Sequence, residues 1–191
     1  MSMFHAAHLG TSPPSPIQWD WSCIRSRSEL EALVSRQGLS RLQALRAAEP
    51  GFAVPIEADD VERLLQAAAQ SNVPLQMQWL EQPNAFESRG CIELVQSTAQ
   101  GLRIHQAGRL LHLCSDHLSR AWIVRHPTAL GLSCALELFD EQEDPLLVLS
   151  GECCALPSHT CPDQEEETRC TRTWRRMVSE LLCDSACSSA C

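Results

Sequence analysis

The sequence predicts an α+β fold: one large antiparallel β-sheet, a meander of short strands, with helices packed on it. Three observations carry that expectation. Apolar residues recur at helical spacing from residue 28 to about residue 70, and again over 163–182. Between these blocks, from Val73 to Ser150, the apolar period shortens toward two. Gly101, Gly108, Pro127, Gly131 and the acidic run 140–144 then cut this middle block into strand-length pieces with short links, as antiparallel neighbours require.

The elements follow in order. Pro13, Pro14 and Pro16 stand among serines and histidines, so residues 1–18 read as an N-terminal arm. A first helix is expected from Ser28, where Ser28 and Glu31 form an S-x-x-E capping box and Leu30, Leu33 and Val34 a stripe; Gly38 stops it. Ser40 and Gln43 make a second box, opening a short helix that Pro50-Gly51 terminates. A third helix is expected from Asp59, with Glu62 at the box position and Val61, Leu64, Leu65 and Ala68 on one face. Leu75, Met77 and Trp79 alternate with Gln76 and Gln78, the pattern of a half-buried strand. Further strands are expected over 91–95, 102–106, 109–114, 118–125, 132–139 and 146–150. A last helix over 163–182 carries acidic residues at its start and a stripe of Trp174, Met177, Val178, Leu181 and Leu182. The organisation is therefore one domain, 19–182, between the arm and a cysteine-rich tail, 183–191, expected to fray.

Composition narrows the function. The 191 residues carry a net charge of −9, which leaves nucleic-acid binding without an electrostatic footprint. All 15 basic side chains are arginines, the better fork for carboxylates, and tyrosine is absent. No apolar run approaches the roughly 20 residues of a membrane span, so no membrane insertion is expected. Residues 1–10 lack a basic segment followed by an apolar one, the mark of a secretory signal, and the expected compartment is the cytoplasm. There the 11 cysteines would be mostly free thiols.

Several segments resemble the bacterial haemin-transport and haemin-degrading proteins of the HemS/ChuX type. They are Ser40-Arg41-Leu42-Gln43-Ala44-Leu45-Arg46, the helix 61–69, Gly90-Cys91-Ile92-Glu93, the long stretch 111–128, Leu136-Glu137-Leu138-Phe139-Asp140 and Trp174-Arg175-Arg176-Met177-Val178. The similarity spans about residues 19–182 and resembles one repeat, the second, of the two-repeat members. It implies cytoplasmic haem binding for uptake, trafficking or degradation, with haem b as the bound group and a homodimer rebuilding the tandem arrangement. Binding or transport is favoured over catalysis. The resemblance places an arginine that contacts a propionate at Arg41 and a basic position at His126, where the family usually has lysine. The family's axial histidine position falls on Ser28, and a polar and basic cluster on Val148, Ser150 and Cys153, none of which keeps the family type. An alternative is an adaptor or regulator that keeps the fold without tight haem binding.

Each candidate has a plainer reading. Arg41 is either a propionate fork or a solvated surface arginine. His126 either touches propionate or iron, or is a half-exposed histidine at a strand end; alternation sends Arg125 to the opposite face. His112 and His117 would pair if a turn at Ser115-Asp116 brings them together. His5 and His8, Cys161-Pro162, and the stripe Cys183, Cys187 and Cys191 are low-specificity candidates for metal or haem ligation, against the plainer readings of an arm, a loop and a frayed, oxidisable tail. No nucleotide-binding glycine loop, nucleophile elbow or H-E-x-x-H motif is present.

Overall fold

The computed structural model describes residues 20–80, 85–128, 131–151 and 164–188. Its centre is an eight-stranded antiparallel sheet: β1 (Ala53–Ile56), β2 (Pro74–Trp79), β3 (Phe86–Thr98), β4 (Gly101–Gln106), β5 (Arg109–Cys114), β6 (Ala121–Thr128), β7 (Gly131–Phe139) and β8 (Pro145–Ser150). Their spatial order is β1-β6-β7-β8-β2-β3-β4-β5. Two meanders, β6-β7-β8 and β2-β3-β4-β5, therefore join side by side where β8 pairs with β2. The α+β expectation is met.

Helices cover both faces. On one, α3 (Ala58–Gln70) and α5 (Gln164–Ser188) bury Val61, Leu64 and Leu65, and Trp174 and Val178, against Leu75, Met77, Ile123, Leu136 and Leu147. On the other, α1 (Arg27–Gln37) and α2 (Arg41–Arg46) bring Leu30, Val34, Leu42 and Leu45 onto Phe52, Val124 and Phe139. A single 3-10 turn, Trp21–Cys23, precedes them, and its Trp21 ring meets Phe52 at 4.7 Å. Covered on both sides, β7 is buried from Ser133 to Phe139, which explains its nearly unbroken apolar sequence.

Several elements differ from expectation. The first helix is capped by Ser26, not Ser28: the Ser26 hydroxyl accepts from the Glu29 amide at 3.2 Å. Two S-x-x-E boxes overlap in the sequence, and in the earlier one the Glu29 carboxylate also takes the Arg25 amide at 2.6 Å. Ser28 sits exposed in the first turn. The Gly38 stop and the Ser40–Gln43 box are as expected, Gly38 holding φ +65° where a side chain would be strained. Helix α3 starts at Ala58 with no side-chain cap, and its early carboxylates, Asp59 and Asp60, favour the helix dipole. Glu62, expected to close a box, instead accepts from Gln66 and Ser97.

Strand β1 has no counterpart in the sequence reading. It is four residues long, follows the Pro50-Gly51 break and contains Pro55, which only an edge strand tolerates. The strand expected from Leu118 begins at Ala121, because Ser115–Leu118 form a single helical turn, α4, whose Leu118 is buried. The tail expected to fray from Cys183 continues α5 to Ser188.

Helix α5 is fixed at the end of β8. The Trp174 indole donates to the Cys134 carbonyl at 2.9 Å, and a Cβ on Gly151 would meet the Trp174 side chain at 2.5 Å. Gly151→Ala should therefore destabilise the fold by about 1–3 kcal/mol in denaturant unfolding.

Burial pushes the Cys134 thiol up from 9.0 to about 11, against the pull of Arg125 and Arg175. The unfolded chain loses this proton first, so stability present below pH 9.0 should fall between pH 9.0 and about 11. With no lysine or tyrosine in the chain, thiols dominate titration in that window. Unfolding curves against pH should show a loss of about 2–3 kcal/mol that Cys134→Ala removes.

Candidate functional site

The face of the sheet under α1 and α2 is polar in its middle. Alternation that sends Leu75 and Met77 into the α3/α5 core sends Gln76 and Gln78 the other way. Register then assembles rows across four strands. Gln76 stands opposite Ser150, Ser150 opposite Ala135, and Ala135 opposite Val124. The next row runs Gln78, Val148, Glu137 and Trp122, and beyond Val124 and Ala135 lies the pair His126–Ser133. All of these side chains but Trp122 floor a cleft of about 270 Å³ that Arg25, Ser26, Arg27 and Arg41 close from the helix side.

Arg41 is the first residue of α2 and is 6% exposed, so it is not a solvated surface arginine. Its Nε and Nη2 donate to the two carboxylate oxygens of Glu137, at 2.6 and 2.5 Å. Glu137 is 1% exposed. Burial weakens the charge on Arg41, but the attraction and hydrogen bonds of Glu137 outweigh it and hold the guanidinium above its ordinary pKa. Nη1 of Arg41 is buried without a hydrogen-bond partner. A second clamp fixes the helix: Arg46 pairs with Glu143 at 2.6 Å and Ser40 donates to the same carboxylate, whose pKa is lowered chiefly by the Arg46 hydrogen bond.

Past the helix start the cleft opens into a groove of about 680 Å³; Ser26, Arg27 and Gln78 line both. Arg27 divides them, donating to the Gln78 side chain at 2.7 Å and pairing with Glu31 at 2.8 Å. Trp79, Leu80 and Phe86 also line the groove, and the Trp79 and Phe86 rings stack at 6.3 Å and pack with the α3/α5 core. The arrangement is amphiphilic. Guanidinium groups and an imidazole gather in the cleft, and Trp79, Leu80, Ala85 and Phe86 line the groove.

The structure thus brings Arg41 and His126 into one cleft with Val148 and Ser150, while Ser28 lines the groove. Arg125 turns away from the cleft, as alternation requires, and donates to the Pro50 carbonyl at 2.9 Å. His112 is exposed on β5 and His117 lies in α4; among the described residues no group of three or more His, Cys, Asp or Glu side chains is arranged to hold a metal. His5, His8, Cys153, Cys161 and Cys191 lie outside the described residues. Three site residues were missed in the sequence: Arg25, Arg27 and Glu137. Arg25 and Arg27 flank the true cap, Ser26, and were hidden by placing the cap at Ser28. Glu137, a lone charge in an apolar strand, was the available signal, because such a group must find a partner once buried.

The model of the haemin-degrading HemS/ChuX domain matches residues 38–152. The chain belongs to the HemS/ChuX family. Among curated proteins it is similar to the hemin transport protein HmuS of Yersinia pestis, with 23% identity over 90% of this chain and 47% of HmuS. The hemin transport protein HemS of Yersinia enterocolitica is 24% identical over 90% of this chain and 46% of its own length. The chain spans about half the length of the curated relatives it matches. In fold it resembles apo-PhuS, a heme-binding protein from Pseudomonas aeruginosa, at a TM-score of 0.65 and 21% identity over 88% of this chain and 51% of PhuS. ChuX, at a TM-score of 0.58 and 9% identity, is matched over 80% of this chain and 89% of ChuX.

In this HemS/ChuX chain Arg41 and Glu137 are interdependent. Arg41→Ala or Glu137→Ala should each cost about 3–5 kcal/mol, since each strands a buried charge, whereas the Arg41→Met/Glu137→Leu double variant should recover most of that loss. A double-mutant cycle in urea measures the coupling.

Proposed function

We propose that this protein binds haem in the cleft between α1, α2 and the polar face of the sheet, and serves haem uptake, trafficking or degradation. One observation carries the reading: in a chain of the HemS/ChuX family, the two positions singled out for haem contact, Arg41 and His126, line the same cleft. The cleft alone is small, and pockets for molecules of this class run to about 300–1,000 Å³. The adjoining groove supplies the remaining room.

The residues present suit an amphiphilic ligand with carboxylate arms. The orphaned Nη1 of Arg41 would donate to a propionate without releasing Glu137, and Arg25 and Arg27 add two more forks at the mouth. Arg41 in this account is both a structural clamp and a ligand contact. Gln76, Gln78 and Ser150 offer further hydrogen bonds. Binding, rather than turnover, is the activity these groups support, because breaking the macrocycle needs an electron source beyond them.

We place the protein in the cytoplasm as a homodimer. Among the described residues no helix is long and apolar enough to cross a membrane. Strand β5 leaves a sheet edge with Leu110 58% exposed, where a second copy would add surface.

Titration of the reduced protein with haemin, followed at the Soret band, should saturate at one haem per chain. Ser150→Phe fills the cleft floor and should weaken binding roughly tenfold or more while leaving the fold intact by circular dichroism. Non-saturating binding by the wild type would remove the haem reading and leave an adaptor that keeps the fold.

A further inference from the structure

We propose that Arg27 selects carboxylate-bearing ligands for this site, by barring the passage between cleft and groove until a ligand carboxylate draws its guanidinium aside. This role rests on the haem reading for its ligand and adds what controls entry.

Ser26, Arg27 and Gln78 line both the cleft of about 270 Å³ and the groove of about 680 Å³. A ligand too large for the cleft must span the two, and its path crosses these residues. Arg27 is the first residue of α1, and the Ser26 cap holds its backbone in place, so only the side chain is free to swing. Its Nη1 donates to the side-chain carbonyl of Gln78 on β2 at 2.7 Å. The Gln78 amide group in turn donates to Glu87 on β3 at 3.4 Å, which turns the carbonyl toward Arg27. A polar bar thus runs from the sheet to the start of α1, between the two chambers.

The bar is loosely latched. Glu31 lies one turn along α1 with half its side chain exposed, and its carboxylate approaches Arg27 Nε at 2.8 Å. That contact is an ion pair without an aligned hydrogen bond, for Nε is buried and lacks a hydrogen-bond partner. Exposed i,i+4 pairs contribute little. The bond to Gln78 is to a neutral amide. A carboxylate offers a guanidinium a charge-assisted and bidentate partner, with bonds roughly twice as strong. Arg27 therefore gains by exchanging Gln78 for a ligand carboxylate, and the exchange opens the bar. An ester carbonyl is no better an acceptor than Gln78 and does not displace it. The other guanidinium groups of the cleft do not stand in this path. Arg41 is buried and held by both oxygens of Glu137, and Arg25 lines the cleft but not the groove.

Stopped-flow fluorescence of the full, reduced chain with metal-free protoporphyrin and with its dimethyl ester reads entry apart from any iron chemistry, and high salt suppresses long-range attraction. The wild type should take up the diacid faster than the diester. Arg27→Met, which keeps the apolar stem, should speed entry of the diester roughly three- to tenfold and bring the two rates together. Glu31→Gln, at an exposed position, loosens the latch and keeps the guanidinium; it should speed entry of both ligands and preserve the preference for the diacid. Equal rates for diacid and diester in the wild type, or rates that neither substitution changes, overturn the selection. Weaker binding by Arg27→Met that lies wholly in faster dissociation also overturns it, leaving Arg27 a ligand contact. Circular dichroism checks the fold, and Arg27→Gln replaces Arg27→Met should the latter be unfolded. A parallel haemin titration separates the two readings. Saturable haemin binding with no effect of Arg27 on entry removes the selection alone, whereas no saturable binding of haemin or porphyrin removes both.

Discussion

The bidentate pair between Arg41 and Glu137 is the interaction on which the arrangement of this site depends. A carboxylate in the middle of β7, the most deeply covered strand, is tolerated because a guanidinium arrives from outside the sheet to neutralise it. That requirement fixes α2 over the sheet with a definite rotation. The Glu143 clamp on Arg46 and Ser40 then holds the same helix to the β7–β8 turn. Leu42, Ala44 and Leu45 fill the space between. A purely apolar contact would attach α2 about as strongly, but would leave its orientation and the polar floor beside it less defined.

Two faces of one sheet serve two ends. The α3/α5 face is a continuous apolar core and supplies most of the burial. The α1/α2 face is apolar only around its own cluster, and gives way to glutamines, serines and a histidine where β6, β7, β8 and β2 lie side by side. The join between the two meanders, β8 against β2, puts Val148 and Ser150 beside Gln78 and Gln76. Residues some 70 positions apart in sequence thereby share one floor. The cleft is thus a product of topology, and its polarity follows from the second, outward-facing residue of each alternating pair.

The sequence was most informative where a local rule had no competitor. The alternation of β2, the stripe of α3, the Ser40–Gln43 box and the Gly38 stop are all found as read. It was least informative where two local signals overlapped or an element was too short to show a period. Ser26 and Ser28 both begin an S-x-x-E box, and the choice between them moves Arg25 and Arg27 into or out of the site. Strand β1 and helix α4 are four residues each and exist because β6 and the core hold them.

By itself the sequence determined the class of fold, the order of most elements and the family, because periodicity, caps and contiguous motifs are properties of neighbours along the chain. It also determined that the charge of any binding fork must be carried by arginine and that no tyrosine is available. Only the tertiary structure decided that Arg41 is buried and already paired, that Glu137 is its partner 96 residues away, and that His126 faces the same cleft. Those facts depend on register between strands distant in sequence and on the desolvation that forces a buried charge to find its counterpart.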